Sequence, residues 1–215
     1  MDEPLNFDDV YNEWVQIDRQ VSDPIVINFG KFTLIFILIN VLVYVLSAFF
    51  PLVQLFAMNR VYMFQLWRWI TSLFFHFSIT HLLFNMISLF IFGNIIERRL
   101  GSRNFLLLYF LSGIFGNVGF LLFSGPYTFG AGASGSIFGL IGAATILYPN
   151  LVLYINFIPL PLKVAGPLMA LGEFILLLGA RDGIAHSAHV FGFVVGIVLA
   201  FYLRRRELEY SRSGS

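Results

Sequence analysis

The chain alternates long apolar runs with short polar segments, and the runs are about the length a membrane helix needs. A hydrocarbon core of about 30 Å takes roughly 20 apolar residues per helix, and about six such runs can be placed. They cover Phe32 to Phe50, Ile79 to Ile96, Phe105 to Phe123, Ser134 to Tyr148, Val164 to Leu178, and Ser187 to Leu203. Each run is continuous, whereas a lipid-spanning strand alternates apolar and polar positions, so helices are expected rather than a barrel. The pattern predicts an all-α membrane protein whose six spans, residues 32–203, form one domain. Residues 1–31 form a polar leader carrying Asp8, Asp9, Glu13 and Asp18; Val10, Trp14, Ile17 and Val21 recur in it at helix-like spacing. That spacing suits either a surface amphipathic helix or a solvated leader. Residues 204–215 are read as a flexible tail.

Two connections are unusually apolar. Pro51 to Phe77 contains "LWRWITSLFFHFS" and is expected to lie in the membrane interface, where Trp67 and Trp69 suit the headgroup level. Pro149 to Pro161, "PNLVLYINFIPLP", has prolines that argue against a continuous helix.

Composition supports the membrane assignment: 58% of the 215 residues are hydrophobic and 12% charged, with a mean hydropathy of +0.82. A net charge of +1 without a basic cluster away from the span flanks gives no reason to expect a nucleic-acid partner. The basic residues report orientation instead. Arg98, Arg99, Arg103, Lys163, Arg204, Arg205 and Arg206 all fall on the side of the N-terminus if six helices cross, which makes both termini cytoplasmic. Arg60, Arg68 and Arg181 are the minority on the external side. Cysteine is absent, which excludes disulfide and thiolate chemistry. An acidic segment precedes the first apolar run, so that run is read as an anchor rather than a cleaved signal, with the plasma membrane as the simplest location.

Polar side chains inside spans are costly and face the bundle interior or a wet cavity. Here they cluster by depth. His76, His81 and Asn85 lie near the start of the second span, Ser134 at the start of the fourth, and His186 and His189 at the start of the sixth, so all four histidines are on the external side. His81 and Asn85 are four apart and share a helix face, which suits donors aimed at one point or plain helix-to-helix glue. Gly132, Gly135, Gly139 and Gly142 match Gly192 and Gly196 as a small-residue contact between spans four and six, with Ser134 as an ordinary helix cap. That reading leaves His189 unexplained, because it shares a face with Gly192 and Gly196 and is carried by the same contact to the serine end. A serine hydroxyl needs a base to become nucleophilic, and a neutral imidazole is the usual base near neutral pH. Ser134 and His189 fit those roles, while His81, Asn85 and the Ser134 backbone N–H could supply an oxyanion site. Asp182, the carboxylate nearest in sequence to His189, is in an external loop, so a dyad is expected.

"GASG", "HLLFN" and "AHVFGFVVG", in that order on spans four, two and six of the core, resemble the rhomboid family of intramembrane serine proteases. The resemblance implies a six-helix rhomboid bundle with a membrane-lying first external loop. It makes Ser134 the nucleophile, His189 the general base, and His81 and Asn85 the oxyanion stabilisers. Gly132, Gly135, Phe138 and Gly192 would support the site. Phe138 falls where the family carries an aromatic packed on the catalytic imidazole, here without the hydroxyl of a tyrosine. "WR" at Trp67 and Arg68 and "ERRLG" at Glu97 to Gly101 resemble family segments of structural rather than catalytic role. The implied reaction is hydrolysis of a peptide bond in or beside the transmembrane helix of a single-span or other membrane protein, in contact with lipid and with no cofactor or metal. The cavity would open to the external face, with substrate entering beside span five.

Three other readings fit the sequence less well. A catalytically silent rhomboid-like protein that binds transmembrane clients has no need of both Ser134 and His189. A metal site on His186, His189 and His76 or His81 lacks a carboxylate from an adjacent span segment. A channel or transporter would use Glu173, the one acid in mid-span, with Asn40, Asn94 and Asn117, but gives no reason for the serine and histidine placement. Glu173 is expected to face a cavity or bond another helix, and His186 to be a helix-start or cavity-rim residue.

Overall fold

The computed structural model describes residues 29–155, 157–179 and 182–213, with side chains described through residue 205. Most of the polar leader, including its proposed amphipathic stripe, and Arg181 lie outside the described residues.

Helix α1 (Lys31–Ser47) buries Thr33, Phe36 and Asn40. Its first turn is held by residues far along the chain. The N–H groups of Phe32 and Thr33 donate to the Glu97 carboxylate at 3.0 and 2.8 Å, and the Thr33 and Ser102 hydroxyls donate to it at 2.9 and 2.7 Å. Gly30 N–H donates to Asn94 Oδ1 at 2.6 Å. A carboxylate over orphan amides at the positive end of a helix is the arrangement the backbone dipoles favour, which gives the "ERRLG" segment its structural part.

The connection after α1 folds into short pieces: α2 (Leu52–Phe56), a 3-10 turn at Arg60–Tyr62, α3 (Arg68–Thr71) and a second 3-10 turn at Ser72–Phe74. Arg68 is buried and organises them. Its guanidinium donates to Ala57 O at 2.6 Å, Gln54 O at 2.8 Å and Gln65 Oε1 at 2.6 Å. Asn117 Nδ2 reaches in from a later helix to Trp69 O at 3.0 Å and Ser72 Oγ at 2.9 Å.

Helix α4 (Ile79–Ser88) runs through a π turn at Leu89–Gly93 into α5 (Asn94–Phe123). Gly101 interrupts α5 at φ 76°, a left-handed conformation that suits glycine, so the second and third expected spans are two limbs of one folded stretch. Helix α6 (Ser134–Leu147) buries Gly135 to Ile137 and Gly139 to Thr145. A hairpin of β1 (Val152–Ile155) and β2 (Ile158–Pro161) follows, paired antiparallel from Val152 with Pro161 to Ile155 with Ile158. The all-α expectation is corrected to this extent. The prolines do exclude a helix, but Val152 to Ile155, mixing β-branched, aromatic and aliphatic side chains, is strand-forming sequence. Helix α7 (Leu162–Gly179) contains Pro167, and α8 (His186–Ser213) continues past Leu203 through most of the segment read as a flexible tail.

Among the described residues three stretches are long and apolar enough to cross a membrane: Ile79–Phe123, Leu162–Gly179 and His186–Arg205. Lys31–Ser47 and Ser134–Leu147 are shorter apolar helices. α6 lies against α5 and α8 at the centre. The contact depends on bare backbone: a Cβ on Gly192 would strike the Gly135 carbonyl, and one on Gly196 the Gly139 carbonyl. Helices that approach this closely are held by packing of small residues along the contact.

Candidate active site

Ser134 is the first residue of α6. The cap position belongs to Ala133, which has no side chain to bond the helix amides, so Ser134 is not the cap considered from the sequence. The opening amides of α6 thus receive no side-chain cap, as an oxyanion site requires. Two residues earlier, Gly132 takes φ 143° and its N–H donates to Ser72 O at 2.9 Å, tying the approach to the serine to the segment before α4.

His81 is brought to the same place by a local device. Ser78 caps α4, accepting the His81 N–H at 3.1 Å, which puts the imidazole in the first turn. A Cβ added to Gly132 would lie 2.9 Å from His81 Nε2 and 3.6 Å from Ser134 Oγ. His81 and Ser134 therefore flank one point, and a side chain at 132 would occupy it. Asn85, one turn along α4 and buried, places Nδ2 2.8 Å from His76 Nε2. The amide donates and the ring nitrogen accepts, which leaves the second N–H of Asn85 for another partner. The His76 and His81 rings meet edge to face at 4.8 Å. The link from His76 to Asn85 was not anticipated from the sequence; an imidazole three residues before the α4 start was its only signal.

His189 lies one turn into α8 and is buried. Its ring stacks on Phe138 with centroids 4.3 Å apart and planes 9° from parallel. Phe138 is one turn after Ser134 on α6, so the stack fixes the imidazole to the serine's own helix. The packing of Gly192 on Gly135 carries the backbone into place. Among the described residues the side-chain hydrogen bond of His189 is to Glu173, and none joins it to Ser134.

The carboxylate missing from the sequence reading is present. Glu173, on α7, holds Oε2 2.8 Å from His189 Nδ1 and 2.6 Å from His186 Nδ1. His186, the first residue of α8, also faces Asp182 through Nε2, 3.2 Å from either carboxylate oxygen. Asp182 accepts the Ile184 N–H at 3.0 Å, and this bond, with His186, holds its carboxyl below the usual range. The facing atoms of Glu173, His186 and His189 lie within 4.8 Å of one another, a spacing that an ion could bridge. The reason for setting a metal aside, the want of a carboxylate from a neighbouring span, is therefore overturned. The same atoms are already engaged in direct bonds of 2.6 and 2.8 Å, and His76 and His81 are grouped with Asn85 and Gly132 instead. The signal for Glu173 was its position as an acid in mid-span.

A cavity of about 30 Å³ opens beside Ser134, bordered by Gly132, Gly135, Ala185 and Ala188 among others. It has room for about one water.

A family model for the rhomboid domain matches residues 63–206, which contain every residue of this site. The chain is 34% identical over 138 residues to the rhomboid protease GlpG of Yersinia pseudotuberculosis serotype I, covering 64% of this chain and 48% of that protein. The same identity and coverage hold for the GlpG of Yersinia pestis. To the candidate rhomboid protease YdcA of Bacillus subtilis (strain 168) it is 37% identical over 146 residues, 67% of this chain and 71% of that protein. The chain thus spans about half the length of the GlpG proteins it matches. With a domain match over most of its length and a relative matched over more than two thirds of its own, the chain belongs to the rhomboid family.

Proposed function

We propose that the chain is an intramembrane serine endopeptidase that hydrolyses a peptide bond in or near the transmembrane helix of a membrane-protein substrate. Its core is residues 32–203, six helices cross the membrane, the segment Pro51 to Phe77 lies in the external interface, and both termini are cytoplasmic at the plasma membrane. The observation that carries the reading is the stack of His189 on Phe138, which seats a buried imidazole on the helix that Ser134 begins. Its similarity to proteins named as rhomboid proteases supports it.

In this mechanism His189 Nε2 takes the proton of Ser134 Oγ as the oxygen attacks the substrate carbonyl. The negative charge that develops meets the amides at the start of α6, His81, and the free N–H of Asn85. The imidazolium then gives its proton to the leaving amine, and water admitted through the cavity beside Ser134 hydrolyses the acyl-enzyme. A substrate helix must unwind locally to expose its carbonyl, so sequences with Gly or Pro near a small residue are the expected targets.

The alternative, a silent binder of transmembrane clients, differs in chemistry. A fluorophosphonate labels the unaltered chain and fails on Ser134→Ala, which also loses cleavage of a single-span substrate in proteoliposomes. Labelling that persists in Ser134→Ala removes the proposed nucleophile, and a chain that neither labels nor cleaves is the binder.

A further inference from the structure

Glu173 Oε2 faces two imidazoles at once, and counting donors fixes what each ring must be. A carboxylate only accepts, so both Nδ1 atoms must carry hydrogen. For His189 this leaves Nε2 as the acceptor in the neutral ring, the nitrogen that must face Ser134 to take a proton. His186 stands between two carboxylates, Glu173 at 2.6 Å from Nδ1 and Asp182 at 3.2 Å from Nε2. The row Asp182, His186, Glu173, His189 therefore joins an exposed loop to the His189 ring through alternating carboxylate and imidazole side chains.

We propose that Glu173 is a positioning residue for His189, accepting its Nδ1–H to fix the tautomer and to stabilise the imidazolium that forms during acylation, with His186 holding the carboxylate in place. The inference rests on the Ser134 and His189 reading above. The proton moves from Ser134 Oγ to His189 Nε2 and on to the leaving amine; the Nδ1 proton stays on the ring and is only shared with Glu173. The acid comes from α7 rather than from the chain segment near His189, so the unit is assembled across three helices.

The test compares unaltered chain, Glu173→Gln, Glu173→Asp and His186→Gln for cleavage of a single-span substrate in proteoliposomes across pH, with fluorophosphonate labelling and thermal unfolding of each. Glu173→Gln is expected to lower kcat at least about tenfold with little change in KM and to move the acidic limb of the profile to lower pH, because the carboxylate no longer favours the protonated ring. Glu173→Asp should restore part of the rate, and His186→Gln should give a smaller loss. An unchanged rate in Glu173→Gln overturns the proposal. So does a loss with an unmoved acidic limb, which a purely structural role would give. Activity of the unaltered chain abolished by EDTA also overturns it, since the three side chains would then be an ion's ligands. Nitrogen NMR of His189 in the unaltered chain gives a check that no folding failure can obscure: hydrogen on Nδ1 is expected, and hydrogen on Nε2 is inconsistent with the role. If the unaltered chain neither labels nor cleaves, the underlying reading falls first and this one with it.

Discussion

At the scale of single residues, the site is held by contacts whose loss has a direction. Phe138 touches His189 face to face at 4.3 Å, and ring pairs of this kind contribute about 0.5–1.5 kcal/mol beyond their buried area. Phe138→Leu keeps bulk but loses the flat face, so cleavage should slow by roughly tenfold, while Phe138→Tyr retains the rate; equal rates in both variants would show that the stack does not hold the base. His76 is a second case. It is 3% exposed, and burial first, then the neighbouring His81 ring, push its pKa down from 6.5 to about 3. The fold thus favours the neutral ring, which accepts from Asn85. Its contribution to stability is complete above pH 6.5 and is lost as pH falls toward about 3. His76→Gln should melt lower than the unaltered chain at pH 7, and the gap should narrow steadily on acidification. A gap of constant width from pH 7 to 4 would show that the ring's protonation is not linked to folding.

At the scale of elements, the approach of α8 to α6 decides whether serine and histidine meet. Gly192→Ala places a methyl against the Gly135 carbonyl, a contact that backbone can relieve only by moving a helix. Overpacking of this kind costs about 1–3 kcal/mol; the displacement also draws His189 from Ser134, so activity should fall further than the melting temperature suggests. Gly172→Ala, on α7 with open space around its Cβ, is the matched control and should melt no lower than the unaltered chain. If the two variants behave alike in melting and cleavage, the close contact is not what positions the site. Much of this was legible beforehand, because the spacing of Gly192 and Gly196 from His189 follows helical periodicity alone. What periodicity does not contain is the relative rotation and depth of separate helices. Glu173 and His189 are 16 residues apart on different helices, and only the depth at which α7 stands beside α8 brings them to 2.8 Å. The break at Gly101 falls in the charged segment between the second and third expected spans, whereas the hairpin after α6 was hidden for another reason: it is set by backbone choices within a run whose side chains are almost all apolar.

At the scale of the whole molecule, burial falls away from the centre toward α7. The most apolar stretches within Ile79–Phe123 and His186–Arg205 are 56% and 44% buried, against 17% for Leu162–Gly179. The buried residues of α7, namely Leu162, Ala165 and Gly166, are all in its first turns, and Pro167 then removes one backbone donor. Beyond that point Leu168, Leu171, Phe174, Ile175 and Leu178 are exposed, and the far half of the helix meets its neighbours through Met169 and Ala170, which pack against the core, and through Glu173. Local opening requires little energy where few apolar contacts must break. Hydrogen exchange in detergent should therefore be slowest in α6 and faster in Leu168 to Gly179 than in α8 between His189 and Leu203. Glu173→Ala should speed exchange in that half of α7 without changing α6. Such a gradient would put the soft side of the molecule beside His189, where a substrate helix entering from lipid could part α7 from the bundle while α5, α6 and α8 keep the catalytic geometry. Exchange in the far half of α7 as slow as in α6 would mean that lipid or a second copy of the chain holds this helix, and lateral entry would have to be sought elsewhere.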